Sequence, residues 1–288
     1  MAYDQNVDIV LPFVLPLFSL RGRLVRLQDV STTVLSQHDY SFPIANALGD
    51  LLAAGAALAS LLKYEGIFTL QTKSDGPIHF AVIDITHKGD MRGYVQVRPY
   101  KVRAEDTFKD LLGHGYLTFT VDQGRNVDRY QGIVTLNHET LSSALEHYFE
   151  QSEQLETRLF IASKKTSEGT WKCGALLLQE MPSKNVEEET WAHIEALLST
   201  LSVEEFLDFS TPCETLLFRL FHEGKISIFD PAPLKAQCRC SKKRIKAFLS
   251  TLTSEEIESL LKTGELKMTC EFCNHQYEFD RKDLMTVH

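Results

Sequence analysis

The sequence predicts an α+β N-terminal domain with a largely antiparallel sheet, then a helical connector, then a small cysteine-rich C-terminal domain. Three observations predict it. Short apolar runs divided by turn residues fill much of residues 8–180, apolar positions switch to helical spacing after Ser183, and four of the six cysteines fall beyond residue 232 in two close pairs. A length of 288 residues favours more than one unit, with boundaries read at 1–182, 183–231 and 232–288.

The first apolar stretch, Val7 to Leu20, has Asp4 and Asp8 ahead of it, contains Pro12 and Pro16, and lacks a small-residue cleavage site. Those features oppose a signal peptide. Leu48 to Leu62 is interrupted by Asp50 and is shorter than the roughly 20 apolar residues that cross a bilayer. Its Ala and Leu content fits a buried helix, read at 46–63. A cytoplasmic protein without membrane contact is therefore expected, in a compartment where thiols stay reduced. Six cysteines there read as metal ligands or redox groups. A net charge of −9 argues against non-specific nucleic-acid binding.

Strands are read at Phe68–Thr72 and Ile78–Ile85 around the turn Ser74-Asp75-Gly76-Pro77, then at Gly93–Val97, Leu117–Val121 and Tyr130–Leu136. A loop separates the last two at 122–126. A helix fits 140–150, capped by Asn137 or Thr140. A final hairpin joins Arg158–Ala162 to Gly174–Leu178. Gly113-His114-Gly115 reads as a turn.

From Ser183 to about Gly224 the chain reads as helical. Trp191, Ile194, Leu197 and Leu198 recur at helical spacing, and a second piece carries Phe206, Leu207, Leu216, Leu217, Leu220 and Phe221. Gly224 and Pro231 end it. This connector has apolar faces that need cover, unlike a Gly/Ser linker. The C-terminal segment is expected to supply part of the platform that covers Phe206, Phe218, Leu220 and Phe221.

Cys238-Arg239-Cys240 and Cys270-Glu271-Phe272-Cys273 are separated by 29 residues, room for two short helices and a strand. Ser241–Leu252 reads as the first helix. Thr253-Ser254-Glu255-Glu256 resembles a capping box for a second, ending by Gly264. Strands follow at Glu265–Thr269 and through Tyr277 and Phe279. Four thiolates complete a closed tetrahedral zinc site, and metal binding compensates for a segment poor in apolar residues. Cys238, Cys240, Cys270 and Cys273 are thus the candidate ligands of one zinc ion in a C-terminal zinc-binding domain. Lys235, Arg239, Lys242, Lys243, Arg244 and Lys246 surround the first pair in sequence. Positive charge favours thiolate, the oxidisable form, and a solvated basic face offsetting a Zn(Cys)4 charge is an equally good account. Cys173 and Cys213 read as reduced structural thiols.

The chain resembles the heat shock protein 33 family of redox-regulated, ATP-independent chaperones. The likeness is carried by RGRLVRL at 21–27, HDYSFPIANALGDLLAAGAALASLL at 38–62, DGPI at 75–78, MRGYV at 91–95 and RYQGIVTL at 129–136. It continues in YFEQSEQLETRLFIA at 148–162, ALLLQEMP at 175–182, RLFHEG at 219–224, CRCSKKR at 238–244 and TCEFCNHQYEFD at 269–280. No matched segment lies in the first twenty residues. The resemblance implies zinc on the four C-terminal cysteines in a reduced, inactive state. It implies oxidation to the disulfides Cys238–Cys240 and Cys270–Cys273, zinc release, and unfolding of the zinc domain and connector. It further implies dimerisation, holding of unfolded client proteins, and their transfer to ATP-driven chaperones. No catalytic residue is implied.

Two other classes fit parts of the sequence. A zinc-ribbon nucleic-acid module would use the zinc site and the basic cluster, against the net charge and the absence of interleaved stacking aromatics. A zinc hydrolase would pair His193 and Glu195 with Cys270 and Cys273, as in the deaminase signature. That reading leaves Cys238 and Cys240 without a role, and four thiolates leave no open position for water.

Overall fold

The computed structural model describes residues 6–99, 102–123, 130–181, 186–253 and 266–280. Chain contacts group it into two compact units, Met1–Ala236 and Gln237–His288.

The first unit opens with a hairpin, β1 (Ile9–Leu15) and β2 (Leu20–Leu27), closed by a 3-10 turn at Pro16–Phe18. Helices α1 (Asp29–Leu35) and α2 (Phe42–Ala59) follow. Next come β3 (Ile67–Ser74), β4 (Ile78–Thr86) and β5 (Asp90–Val97), then α3 (Phe108–Leu112), β6 (Gly115–Asp122) and β7 (Tyr130–Thr135). Helix α4 (Leu141–Tyr148) runs into a π turn at Phe149–Glu153, before β8 (Thr157–Lys165) and β9 (Trp171–Glu180). The connector forms α5 (Glu188–Ser199), α6 (Val203–Phe206) and α7 (Cys213–Phe221). Three two-residue strands end the unit: β10 (Ser227–Ile228), β11 (Ala232–Pro233) and β12 (Lys235–Ala236).

One sheet has the order β10-β1-β2-β9-β8, with β11 also on β1; the other runs β12-β5-β4-β3-β6-β7. Every pairing in them is antiparallel except β12 on β5. The expected α+β class with a largely antiparallel sheet is what forms, and the hairpin pairing Arg158 with Leu178 and Ala162 with Gly174 is in place. Gly113 ends α3 with a positive φ of 64° and Gly115 begins β6, which makes that segment a turn.

Helix α2 lies between the two sheets, touching β2, β8 and β9 of one and β3, β4 and β5 of the other. It begins four residues before the predicted start, where Ser41 in extended conformation and Pro43 in the first turn set its N-terminus. It is long and apolar enough to cross a membrane, yet 83% of it is buried inside the protein.

The strands at 9–15 and 20–27 have no sequence assignment because the first sheet is buried on both sides, so period-two alternation disappears. Val10, Val25, Ala175 and Leu177 face α2. Leu11, Phe13, Leu24, Leu176 and Leu178 face the connector. Trp191, Ile194, Phe206, Leu216, Leu217 and Phe221 all dock on this second face. Within this unit the platform of the connector is therefore the first sheet. Phe218 departs from the expected cover, since it is 61% exposed. Positions 217, 220 and 221 define the inward stripe of α7, and 218 lies off it.

Close approach explains two glycines. A Cβ on Gly22 would lie 2.1 Å from the ring of Phe13, which crosses it from the paired strand. A Cβ on Gly174 would lie 2.7 Å from the ring of Phe206.

In the second unit, α8 (Lys242–Leu249) starts at the cap Ser241, whose side chain accepts the Arg244 N–H. Strands β13 (Leu266–Thr269) and β14 (Gln276–Phe279) form a hairpin. The second helix expected after Thr253 lies outside the described residues. Among the described residues the core of this unit is Leu249, Leu266 and Phe279, flanked by Ile245, Leu252, Met268 and Tyr277. Leu249 and Phe279 are fully buried there, and Leu266 is 9% exposed.

Candidate metal centre

The four C-terminal cysteines converge. Their sulfurs all lie within 4.8 Å of one another, and no other group of three or more His, Cys, Asp or Glu among the described residues does so. Cys238 Sγ is 3.7 Å from Cys270 Sγ, and Cys240 Sγ is 3.4 Å from Cys273 Sγ. A tetrahedron with metal–sulfur bonds near 2.3 Å has sulfur–sulfur edges of about 3.8 Å. The donor set and its spacing therefore fit one thiophilic ion, and the four cysteines could hold a metal.

Local structure aims these side chains. Thr269 pairs with Gln276 at the end of the β13–β14 hairpin, so Cys270–His275 is its loop. The Cys270 N–H donates to the His275 carbonyl over 2.9 Å, and the Asn274 N–H donates to the Cys270 carbonyl over 2.8 Å. Asn274 closes the loop at φ 54°, a conformation its short amide side chain tolerates. The other pair sits just ahead of α8, where Arg244 anchors the turn by donating to the Arg239 carbonyl over 2.6 Å.

Burial works against ionising the Cys238 thiol, but the Cys240 N–H and the neighbouring thiols outweigh it and bring the group down to about 7. Burial pushes Cys270 up, and the Cys238 charge adds to that shift. Cys273 is also raised, first by burial, with the neighbouring thiols adding to it. Cys238 thus takes the first negative charge, and Cys270 and Cys273 are held toward the protonated form beside it, as crowded like charges require. The phenol of Tyr277 on β14 donates to Cys240 Sγ over 3.1 Å. Sequence reasoning placed Tyr277 on a strand and missed this role; the one available signal is its position four residues after Cys273.

Of the basic cluster, Lys242, Lys243 and Arg244 are exposed on α8, and Lys242 Nζ lies 5.3 Å from the Phe279 ring centroid. Lys235 belongs to the first unit and pairs with Asp90 at 3.0 Å. His193 and Glu195 lie on α5 in that unit, His193 against Glu223 at 3.5 Å and Glu195 against Arg158 at 2.6 Å. Cys173 and Cys213 are both buried there.

Comparison with known proteins agrees with this geometry. The family described as Hsp33 protein matches residues 8–280, which takes in the first strand that the sequence resemblance left out. The 33 kDa chaperonin of Caulobacter vibrioides is 38% identical, covering 97% of this chain and 98% of that protein. The 33 kDa chaperonin of Escherichia coli is 36% identical, covering 94% and 91%. The crystal structure of the 33 kDa chaperonin of Thermotoga maritima shares the fold, with a TM-score of 0.84 at 24% identity over 97% of each chain. With the family matched from the first strand to the last, this chain belongs to the Hsp33 family.

Proposed function

We propose that this chain is a redox-regulated, ATP-independent holdase chaperone of the cytoplasm, which binds unfolding proteins under oxidative stress. The observation that carries the reading is the convergence of the four cysteine sulfurs in the C-terminal unit. Membership of a family whose relatives are named chaperonins supports the chaperone part.

In the reduced state Cys238, Cys240, Cys270 and Cys273 hold one zinc ion. Bound zinc stabilises the thiolate forms and supplies roughly 10–16 kcal/mol of apparent binding energy toward folding this segment. On oxidation, the two thiolates of each close pair give two electrons to a peroxide, one S–S bond forms per pair, and the peroxide leaves as two hydroxide ions. The proposed bonds are Cys238–Cys240 and Cys270–Cys273, on the family resemblance; the Cys238–Cys270 and Cys240–Cys273 contacts of 3.7 and 3.4 Å cross between the pairs. A bond between Cys238 and Cys240 spans two residues and needs local unfolding to form.

Residues 232–288 then lose their ordering energy. The chain between α7 and Cys238 is the ribbon of β10, β11 and β12, held by two-residue pairings to β1 and β5. So few hydrogen bonds open easily once the adjoining segment unfolds. Freed from the first sheet, the connector at 183–231 offers the apolar stripe of Phe206, Leu216, Leu217, Leu220 and Phe221 to clients. The oxidised chain dimerises, holds its clients, and passes them to ATP-driven chaperones after reduction.

The test is metal analysis and thiol counting before and after peroxide at raised temperature, with hydrogen exchange and client light scattering in parallel. Expected are one zinc per reduced chain, zinc release with loss of four thiols, faster exchange after residue 186, and suppression of aggregation without ATP. Equal suppression by the reduced, zinc-loaded, fully protected form would overturn the proposal.

A further inference from the structure

A pair of histidines, His138 and His147, lies beside an acidic face of α4 and its π turn in the first unit. Ser143, Glu146, His147 and Glu150 share one face there, at spacings of three and four residues. They line a cavity of about 300 Å³ with His138 and Arg158. The His138 and His147 rings are 5.0 Å apart between centroids and tilted by 44°. His138 Nε2 is buried with no hydrogen-bond partner, an arrangement that is unfavourable unless something takes the lone pair or proton.

We propose that His138 and His147 bind a divalent transition cation of the zinc–nickel class, apart from the four-cysteine centre. An imidazole nitrogen ligates such an ion at about 2.0–2.1 Å, which puts each ring centroid about 3.2 Å from it. Two centroids 5.0 Å apart then subtend an angle of roughly 100° at the ion, suited to tetrahedral or octahedral coordination.

The surrounding charge favours a cation. Three carboxylates line the cavity, Glu146, Glu150 and Glu156, against one guanidinium, Arg158. Glu146 accepts the Leu159 N–H over 2.7 Å, and Glu156 accepts from Arg158 over 2.9 Å. Glu150, three residues after His147 on the same face, adds negative charge beside the pair without joining it as a ligand. The two imidazoles supply the protein ligands, and water fills the remaining positions.

The experiment uses the full chain, reduced and carrying one zinc per chain, titrated with Ni2+. Calorimetry gives the affinity, and paramagnetic broadening of amide signals gives the location. Expected is one added Ni2+ equivalent that broadens residues 138–150, with His138→Gln and His147→Ala each weakening binding at least tenfold. Both variants are checked for unchanged zinc content and thermal stability, and Glu150→Gln, on an exposed position, gives a smaller loss in a fold that cannot be in doubt. Broadening centred on His193 and His222, or Ni2+ affinity unchanged in the double histidine variant, would overturn the proposal.

Discussion

The phenolic O–H of Tyr277 donates to Cys240 Sγ across 3.1 Å, tying β14 to the first cysteine pair. A donor on sulfur stabilises the thiolate and lowers its nucleophilicity. The same contact raises the phenol of Tyr277 to about 12. In the zinc-loaded protein, where the metal holds the sulfur as thiolate, Tyr277→Phe is expected to speed alkylation and peroxide oxidation of Cys240 several-fold, read by mass spectrometry of quenched time points. Unchanged Cys240 kinetics would leave the hydroxyl without a role at the cluster.

The connector can be loosened without touching a thiol. Gly174→Ala puts a methyl 2.7 Å from the Phe206 ring and 3.0 Å from the Val25 carbonyl. Overpacking of this kind costs about 1–3 kcal/mol. Amides of 203–221 are expected to exchange faster in the reduced, zinc-loaded protein while those of α2 keep their protection. Partial suppression of client aggregation should appear without oxidant. Faster exchange with no gain in suppression would separate connector exposure from holdase activity.

Asp50 gives the first unit a pH dependence. One of its carboxylate oxygens is buried without a partner, and burial raises the group to about 7, the neighbouring Ser163 hydroxyl acting against the shift. Below pH ~4 both folded and unfolded chains hold the proton, so there is no penalty. Between pH ~4 and ~7 only the unfolded chain releases it, and stability falls as pH rises, by at most about 4 kcal/mol, to a constant loss above that. Asp50→Asn is expected to flatten the melting temperature across this window and raise it at pH 8. A variant with the wild-type pH profile would assign the dependence to other groups.

Cys173 and Cys213 are expected to be dispensable for the switch. Both are buried, and burial raises the Cys173 thiol to about 12, out of reach of physiological oxidants. The double Cys173→Ala, Cys213→Ala variant should release zinc and lose four thiols on peroxide treatment at the wild-type rate. A reduced fold that stays intact but no longer activates would show that one of these thiols takes part.

The cysteine spacing, the α+β class and most strands of the second sheet could be read directly. Alternation is legible where one face of a strand is less buried than the other, as in β3 and β6. It fails at β1, where Ile9 to Leu11 are buried on both faces of a sheet held between α2 and the connector.

By itself the sequence determined which residues are chemically able to form the metal centre, because thiol identity and close spacing are local properties of the chain. Only the tertiary structure decided what lies next to what. It set Tyr277 on Cys240, His138 beside His147, and the connector on the first sheet. The physical reason is that an apolar stripe such as that of α7 carries no address: any complementary apolar surface satisfies it, and which one does depends on how distant strands are paired.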